Sequence, residues 1–172
     1  MDERRQAIIE EIPRLRRYAR ALLRDRDAAD DLVQDSLERA LSKVENWTTG
    51  DSPRRWLFTI MHHLFVDQLR RAKRHVQAVT MMPETIDALA SPPPQVDKLA
   101  SAEVLAALQQ IGPERRAALV LVAVEGLSYA EAADVLGIPA GTLMSRIARG
   151  REELRSILDD VSRRKVIKVV EK

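Results

Sequence analysis

Cysteine is absent from this 172-residue chain, which excludes disulfides, thiolate zinc sites and a cysteine nucleophile. Aromatic residues are only 3% of the sequence, so any core must be built from Leu, Val, Ile and Ala, a mixture that favours helices. No apolar run is long enough to span a bilayer, and the N-terminal stretch carries charges throughout where a secretion signal needs an apolar centre. Charge of one sign is also missing: 28 Lys and Arg stand against 26 Asp and Glu, a formal net charge of +2. A nucleic-acid surface would therefore have to come from local clustering. There is no phosphate-binding glycine loop, no nucleophile elbow and no HExxH motif. Adjacent acids such as Asp30-Asp31 and Asp159-Asp160 point apart on a helix and cannot converge on one substrate atom. His62 and His63 likewise diverge by about a hundred degrees, and no acidic cluster of ligand spacing joins them and His75. These absences predict a cytoplasmic, non-enzymatic protein with no membrane insertion, no cofactor and no metal.

What is present is helical periodicity, in two blocks. From about Glu10 to Arg74, Ile12, Leu15, Tyr18, Ala19, Leu22 and Leu23 recur at three- and four-residue steps. After the turn-like LRDRDAAD, Leu32, Val33, Leu37, Ala40 and Leu41 form a second stripe, with Asp30, Asp31 and Asp35 near its start, where the helix dipole favours acids. Asn46 to Pro53 reads as a loop, and a third helix follows from about Arg54 with Trp56, Leu57, Ile60, Leu64 and Leu69 apolar. His75 to Lys98 contains three consecutive prolines and reads as a flexible linker, with room for a helical turn at Thr85 to Leu89. From Leu99 to about Asp160 the helical pattern resumes, with core candidates Leu105, Leu108, Ile111, Leu119, Leu121, Val122 and Val124 and a break at Gly112-Pro113. The fold class is thus all-α: two small helical domains, 1–74 and 99–160, joined by a Pro-rich linker, 75–98. The tail, 161–172, could extend the last helix, stay disordered or add a short strand.

Ser128 to Arg155 is the most specific local pattern. Ser128 and Glu131 fit a capping box, Gly137 suits a left-handed helix end, and Pro139 suits the opening of the next helix. On that second helix Leu143, Ile147 and Leu154 fall on one face, while Thr142, Ser145, Arg146 and Arg149 lie off it. A packed stripe backing a polar, cationic face is how a helix-turn-helix presents side chains to the major groove.

Taken together, the two blocks resemble the extracytoplasmic-function class of bacterial sigma factors, initiation subunits that lend promoter specificity to RNA polymerase. DAADDLVQDSLERAL resembles the family's polymerase-docking region, WLFTIMHHLFVDQLRR its −10-engaging helix, and LQQIGPERRAALVLVAVEGLSYAEAADVLGIPAGTLMSRIARGREELR its −35-reading domain. The resemblance implies core RNA polymerase and promoter DNA as partners, and an anti-sigma factor as the controlling one.

It also implies site residues. Asp31, Leu32, Gln34 and Asp35 would dock on the polymerase clamp, mixing charge with an apolar anchor. The loop residues Asn46, Trp47, Thr48 and Thr49, with Arg54, Arg55, His63, Arg70 and Arg71, would engage the −10 element. Trp47 is expected to be the exposed aromatic and Trp56 to be core, since Trp56 is in step with Ile60. Thr142, Met144, Ser145, Arg146, Arg149 and Arg151 would face the −35 element. Two positions depart from the family pattern: His63 stands where asparagine is common, and Met144 where Lys or Arg is common. A sigma-like decoy that titrates an anti-sigma factor and a stand-alone helix-turn-helix regulator are the alternatives. Retention of Arg146, Arg149 and Arg151 and of the Arg70 to Arg74 basic run argues against the first. The second lacks a ligand-domain or dimerisation signal.

Overall fold

The structure is a computed structural model that describes residues 3–47, 51–79 and 97–170. Among them all regular structure is helical: α1 (Glu3–Leu22), α2 (Arg26–Ser42), a 3-10 turn (Val44–Asn46), α3 (Pro53–Val79), α4 (Asp97–Leu108), α5 (Pro113–Leu119), a π segment (Val120–Val124), α6 (Tyr129–Leu136) and α7 (Ala140–Val170).

The first three helices pack on one another around Leu15, Tyr18 and Leu22 of α1, Leu32 and Ala40 of α2, and Leu57, Phe58, Met61 and Phe65 of α3. Tyr18 meets the Phe58 ring edge-on, with centroids 5.2 Å apart. Helix α1 starts seven residues before the expected Glu10 and tolerates Pro13 in its interior, because that proline lies on the exposed side. Helix α2 begins inside the stretch expected to be a turn: the Asp25 carboxylate accepts from the amides of Asp27 (2.7 Å) and Ala28 (3.1 Å) and caps it.

Three apolar expectations shift. Leu41 and Val124 are exposed, and α3 buries Phe58, Met61 and Phe65 beside the expected Leu57, while Trp56, Ile60, Leu64 and Leu69 of the expected stripe are only half-buried. Helix α3 is covered by α1, α2 and α6 together, so its buried sector is wider than one stripe and is centred differently. The expected linker also loses its ends, since 75–79 continue α3 and 97–98 open α4. The helical turn expected at Thr85 to Leu89 lies outside the described residues. Of the three options for the tail, helix is the one found, as far as Val170.

Candidate nucleic-acid interface

The helix-turn-helix forms as its local chemistry dictates. Ser128 Oγ accepts from the Glu131 amide (3.2 Å) while the Ser128 amide donates to Glu131 Oε2 (2.8 Å), closing the capping box at the start of α6. That backbone bond holds the Glu131 carboxyl below its ordinary pKa. Gly137 ends α6 in the left-handed region at φ 62°, and the Pro139 carbonyl accepts the first helical bond of α7 from Leu143. Leu143 and Ile147 are buried against the domain, and Gly150 lies against α5. The opposite face presents Thr142, Met144, Ser145, Arg149 and Arg151 to solvent. Met144 is 52% exposed, an unusual place for a large apolar side chain. Arg146 alone among the expected −35 residues is half-buried, ion-paired to Glu114 of α5 at 2.8 Å. A cleft lined by Lys73 of α3 and by Glu114, Thr142, Ser145, Arg146 and Arg149 runs beside this face.

The expected −10 residues divide. Ser52 Oγ accepts from the Arg55 amide at the opening of α3, and Pro53 sits at its first position, where a missing donor costs nothing. From there Arg54 reaches Glu11 at 3.4 Å, and Arg55 reaches Asp51 at 3.4 Å. His63, Arg70, Arg71 and Arg74 are exposed, with His63, Arg70 and Arg74 on one face of the helix. Asn46 closes the 3-10 turn, while Thr48 and Thr49 lie outside the described residues. The expectation for the tryptophans is corrected: Trp47 is buried, and Trp56 is half-buried and packs against the core. The two indoles stack at 5.8 Å between centroids and 15° between planes, so Trp47 is covered by its neighbour on α3.

The clamp-docking set needs a correction as well. Asp31, Gln34 and Asp35 are exposed, with Gln34 bonded to Glu38, but Leu32 is fully buried in the three-helix core. Residues 31, 34 and 35 face outward as neighbours on the helix, whereas Leu32, about a hundred degrees round from Asp31, falls in the buried sector.

Between the two domains lies a set of contacts with no local signature. Arg17 of α1 donates to both carboxylate oxygens of Glu125, which follows the π segment, at 2.7 Å each. That bond raises the Arg17 pKa above its ordinary value. Burial, reinforced by Glu125, also pushes the Tyr18 hydroxyl pKa up. His62 is buried on α3, and burial, with His63 and Arg146 nearby, pushes its pKa down to about 4.

Comparison with known proteins gives this arrangement a family. The model of the sigma2 domain of PhyR matches residues 8–62, and that of sigma-70 region 4 matches residues 101–154. Over 157 residues the chain is 37% identical to the ECF RNA polymerase sigma factor EcfG of Rhodopseudomonas palustris (strain TIE-1), covering 91% of this chain and 86% of that protein. This chain belongs to the ECF sigma factors. Another sigma relative, CarQ of Myxococcus xanthus, is 32% identical over 149 residues, with 87% of this chain and 85% of CarQ covered. Among solved structures, the sigma factor RpoE in complex with the anti-sigma factor NepR, from Bartonella quintana, is similar with a TM-score of 0.81 at 33% identity, over 92% of this chain and 98% of that one. CnrH in complex with the cytosolic domain of CnrY is similar at 27% identity and a TM-score of 0.66, over 91% and 88% of the two chains.

As in other sigma factors, no catalytic constellation is needed, and the residues that sequence reasoning missed are structural partners. Arg17, Glu125, Gln109 and His62 meet groups remote in sequence, so no motif could have flagged them. A polar residue inside the apolar run LVLVAVEGL, at Glu125, is the one signal that was available.

Proposed function

We propose that this sigma factor binds core RNA polymerase, reads a −35 element with its C-terminal domain and a −10 element with its N-terminal domain, and so directs transcription initiation in the cytoplasm under an anti-sigma factor. The N-terminal unit runs to residue 79 and the C-terminal unit spans 97–170, ending five residues later and running twelve residues longer, respectively, than the periodicity alone predicts. The observation that carries the reading is α7: its inner face is locked by Leu143, Ile147 and Gly150, and its outer face offers Thr142, Met144, Ser145 and Arg149 to a groove. Arginine supplies bidentate contacts to guanine, and Met144 supplies an apolar surface suited to a thymine methyl.

For the −10 element, exposed Arg70 and Arg74, in line with His63 on one face of α3 and with Arg71 beside them, track the strand backbone. Asp31, Gln34 and Asp35 form the clamp-docking surface, with Leu32 shaping the helix from inside. The anti-sigma control is supported by the relatives, since RpoE was solved with the anti-sigma factor NepR and CnrH with the cytosolic domain of CnrY. No helix among the described residues is long and apolar enough to cross a membrane.

Reconstitution tests the proposal. Adding the protein to bacterial core polymerase on fragmented source DNA and sequencing the run-off products should yield discrete new start sites that share two upstream motifs. Polymerase binding without new starts would favour a decoy, and no binding to polymerase would overturn the assignment.

A further inference from the structure

The whole chain carries a net charge of only +2, yet four cations line one cleft against a single carboxylate. Lys73 comes from α3, Arg115 from the first turn of α5, and Arg146 and Arg149 lie one turn apart on α7. Three helices remote in sequence thus turn like charges toward one space, which concentrates small anions there. The cleft holds about 440 Å³, within the roughly 300–1,000 Å³ of small-molecule sites. A cube of that volume is about 8 Å on edge, narrower than the ~12 Å major groove alone, so a DNA duplex cannot enter.

Two of the cations are held in place by carboxylates. Arg146 Nη2 pairs with Glu114 Oε2 at 2.8 Å, and Arg115 Nη2 with Glu153 Oε1 at 2.9 Å. Gly112 leaves room for the second guanidinium, since a β-carbon there would stand 3.2 Å from Arg115 Nη2. Lys73 and Arg149 are exposed and have no ion pair among the described residues. The Glu114 side chain is 70% exposed, so it can swing off Arg146 into water when a stronger anion arrives.

The lining selects the ligand chemistry. Guanidinium forks match pairs of phosphate oxygens, and the lysine ammonium serves as a point charge. One phosphate, a few water volumes of ~30 Å³ each, leaves most of the cleft unfilled, whereas linked phosphates reach cations on several helices. No aromatic side chain among the described residues lines the cleft, so a nucleobase has nothing to stack on.

We infer that this cleft binds a small molecule carrying two or three linked phosphates, and that its occupancy withdraws Arg146 and Arg149 from the −35 element. That consequence rests on the sigma reading above; the binding itself does not.

Titration calorimetry on the full chain, without divalent cations, tests it with sodium tripolyphosphate, ATP and inorganic phosphate. Tripolyphosphate and ATP should bind one to one within a few-fold of each other, and phosphate at least about tenfold more weakly, for want of further charge-assisted bonds. Lys73→Ala, at an exposed position outside the −35 set, should weaken tripolyphosphate at least about tenfold through loss of one such bond. Its affinity for the cognate −35 duplex should stay at the wild-type value. Tripolyphosphate should therefore displace that duplex from the wild type at about tenfold lower concentration than from Lys73→Ala. Glu114→Gln removes the competing carboxylate and should tighten tripolyphosphate binding, a gain that a misfolded variant cannot mimic. No binding of tripolyphosphate overturns the site. So does wild-type binding by Lys73→Ala, which would mean that the polyanion merely rests on the recognition face. ATP binding far more tightly than tripolyphosphate would overturn the phosphates as the recognised part. Reconstitution without new start sites would remove the sigma reading and leave the calorimetric result intact.

Discussion

Leu119 Cδ1 of α5 lies 2.8 Å from where a β-carbon on Gly150 of α7 would stand. Gly150 is therefore the point at which the recognition helix is seated on its support, and its helix-propensity penalty is offset by that close approach. Gly150→Ala should destabilise the protein by about 1–2 kcal/mol, because overpacking of roughly 1–3 kcal/mol outweighs a propensity gain of up to ~1. Urea unfolding measures this. A more stable variant would mean that α5 and α7 slide apart freely.

On the outer face of the same helix, Arg149→Ala should weaken binding to the cognate −35 duplex by about 1–3 kcal/mol, or roughly 5- to 150-fold, if it makes a bidentate base contact. Its side chain is exposed, so the melting temperature should hardly move. Met144→Lys should alter which bases are preferred and leave overall stability intact. Binding selections on randomised duplexes with both variants distinguish lost affinity from changed preference.

The tryptophan pair makes a spectroscopic prediction. Trp47 is buried under Trp56, which is half-buried. In the Trp56→Phe protein the remaining Trp47 fluorescence should be blue-shifted and poorly quenched by acrylamide. In the Trp47→Phe protein the remaining Trp56 should quench more readily. Reversed quenching would restore the view that Trp47 is the exposed aromatic.

His62 sets an acid limit on the folded structure. Its pKa is pushed down to about 4 from 6.5, chiefly by burial and then by His63 and Arg146, so it is neutral when folded. The unfolded chain binds a proton near pH 6.5 and the folded chain does not until about pH 4. Stability from this group is thus complete above pH 6.5 and declines as pH falls from there toward 4, by at most about 3 kcal/mol. His62→Gln should show a flatter stability profile in that window when unfolding is followed at successive pH values. Parallel profiles would assign the acid sensitivity to the carboxylates.

The sequence by itself determined the all-helical class, the two-domain order and the helix-turn-helix, because these rest on signals that act within a few residues. The Ser128–Glu131 box, the left-handed Gly137 and the inward set Leu143 and Ile147 are each set by hydrogen bonds or periodicity inside one or two turns. Outward-facing candidates such as Arg149 and Asp35 followed from the same periodicity. Leu32 belongs to the inward stripe by that periodicity and is buried, and only the resemblance placed it on the docking surface. Only the tertiary structure decided which sector of α3 is buried, that Trp47 is covered and that Arg17 grips Glu125. Those outcomes depend on which helix faces meet, from the neighbouring Trp47 and Trp56 to Arg17 and Glu125, 108 residues apart. Burial and charge pairing at that range come from the docking of whole elements, and single-segment patterns carry no trace of it.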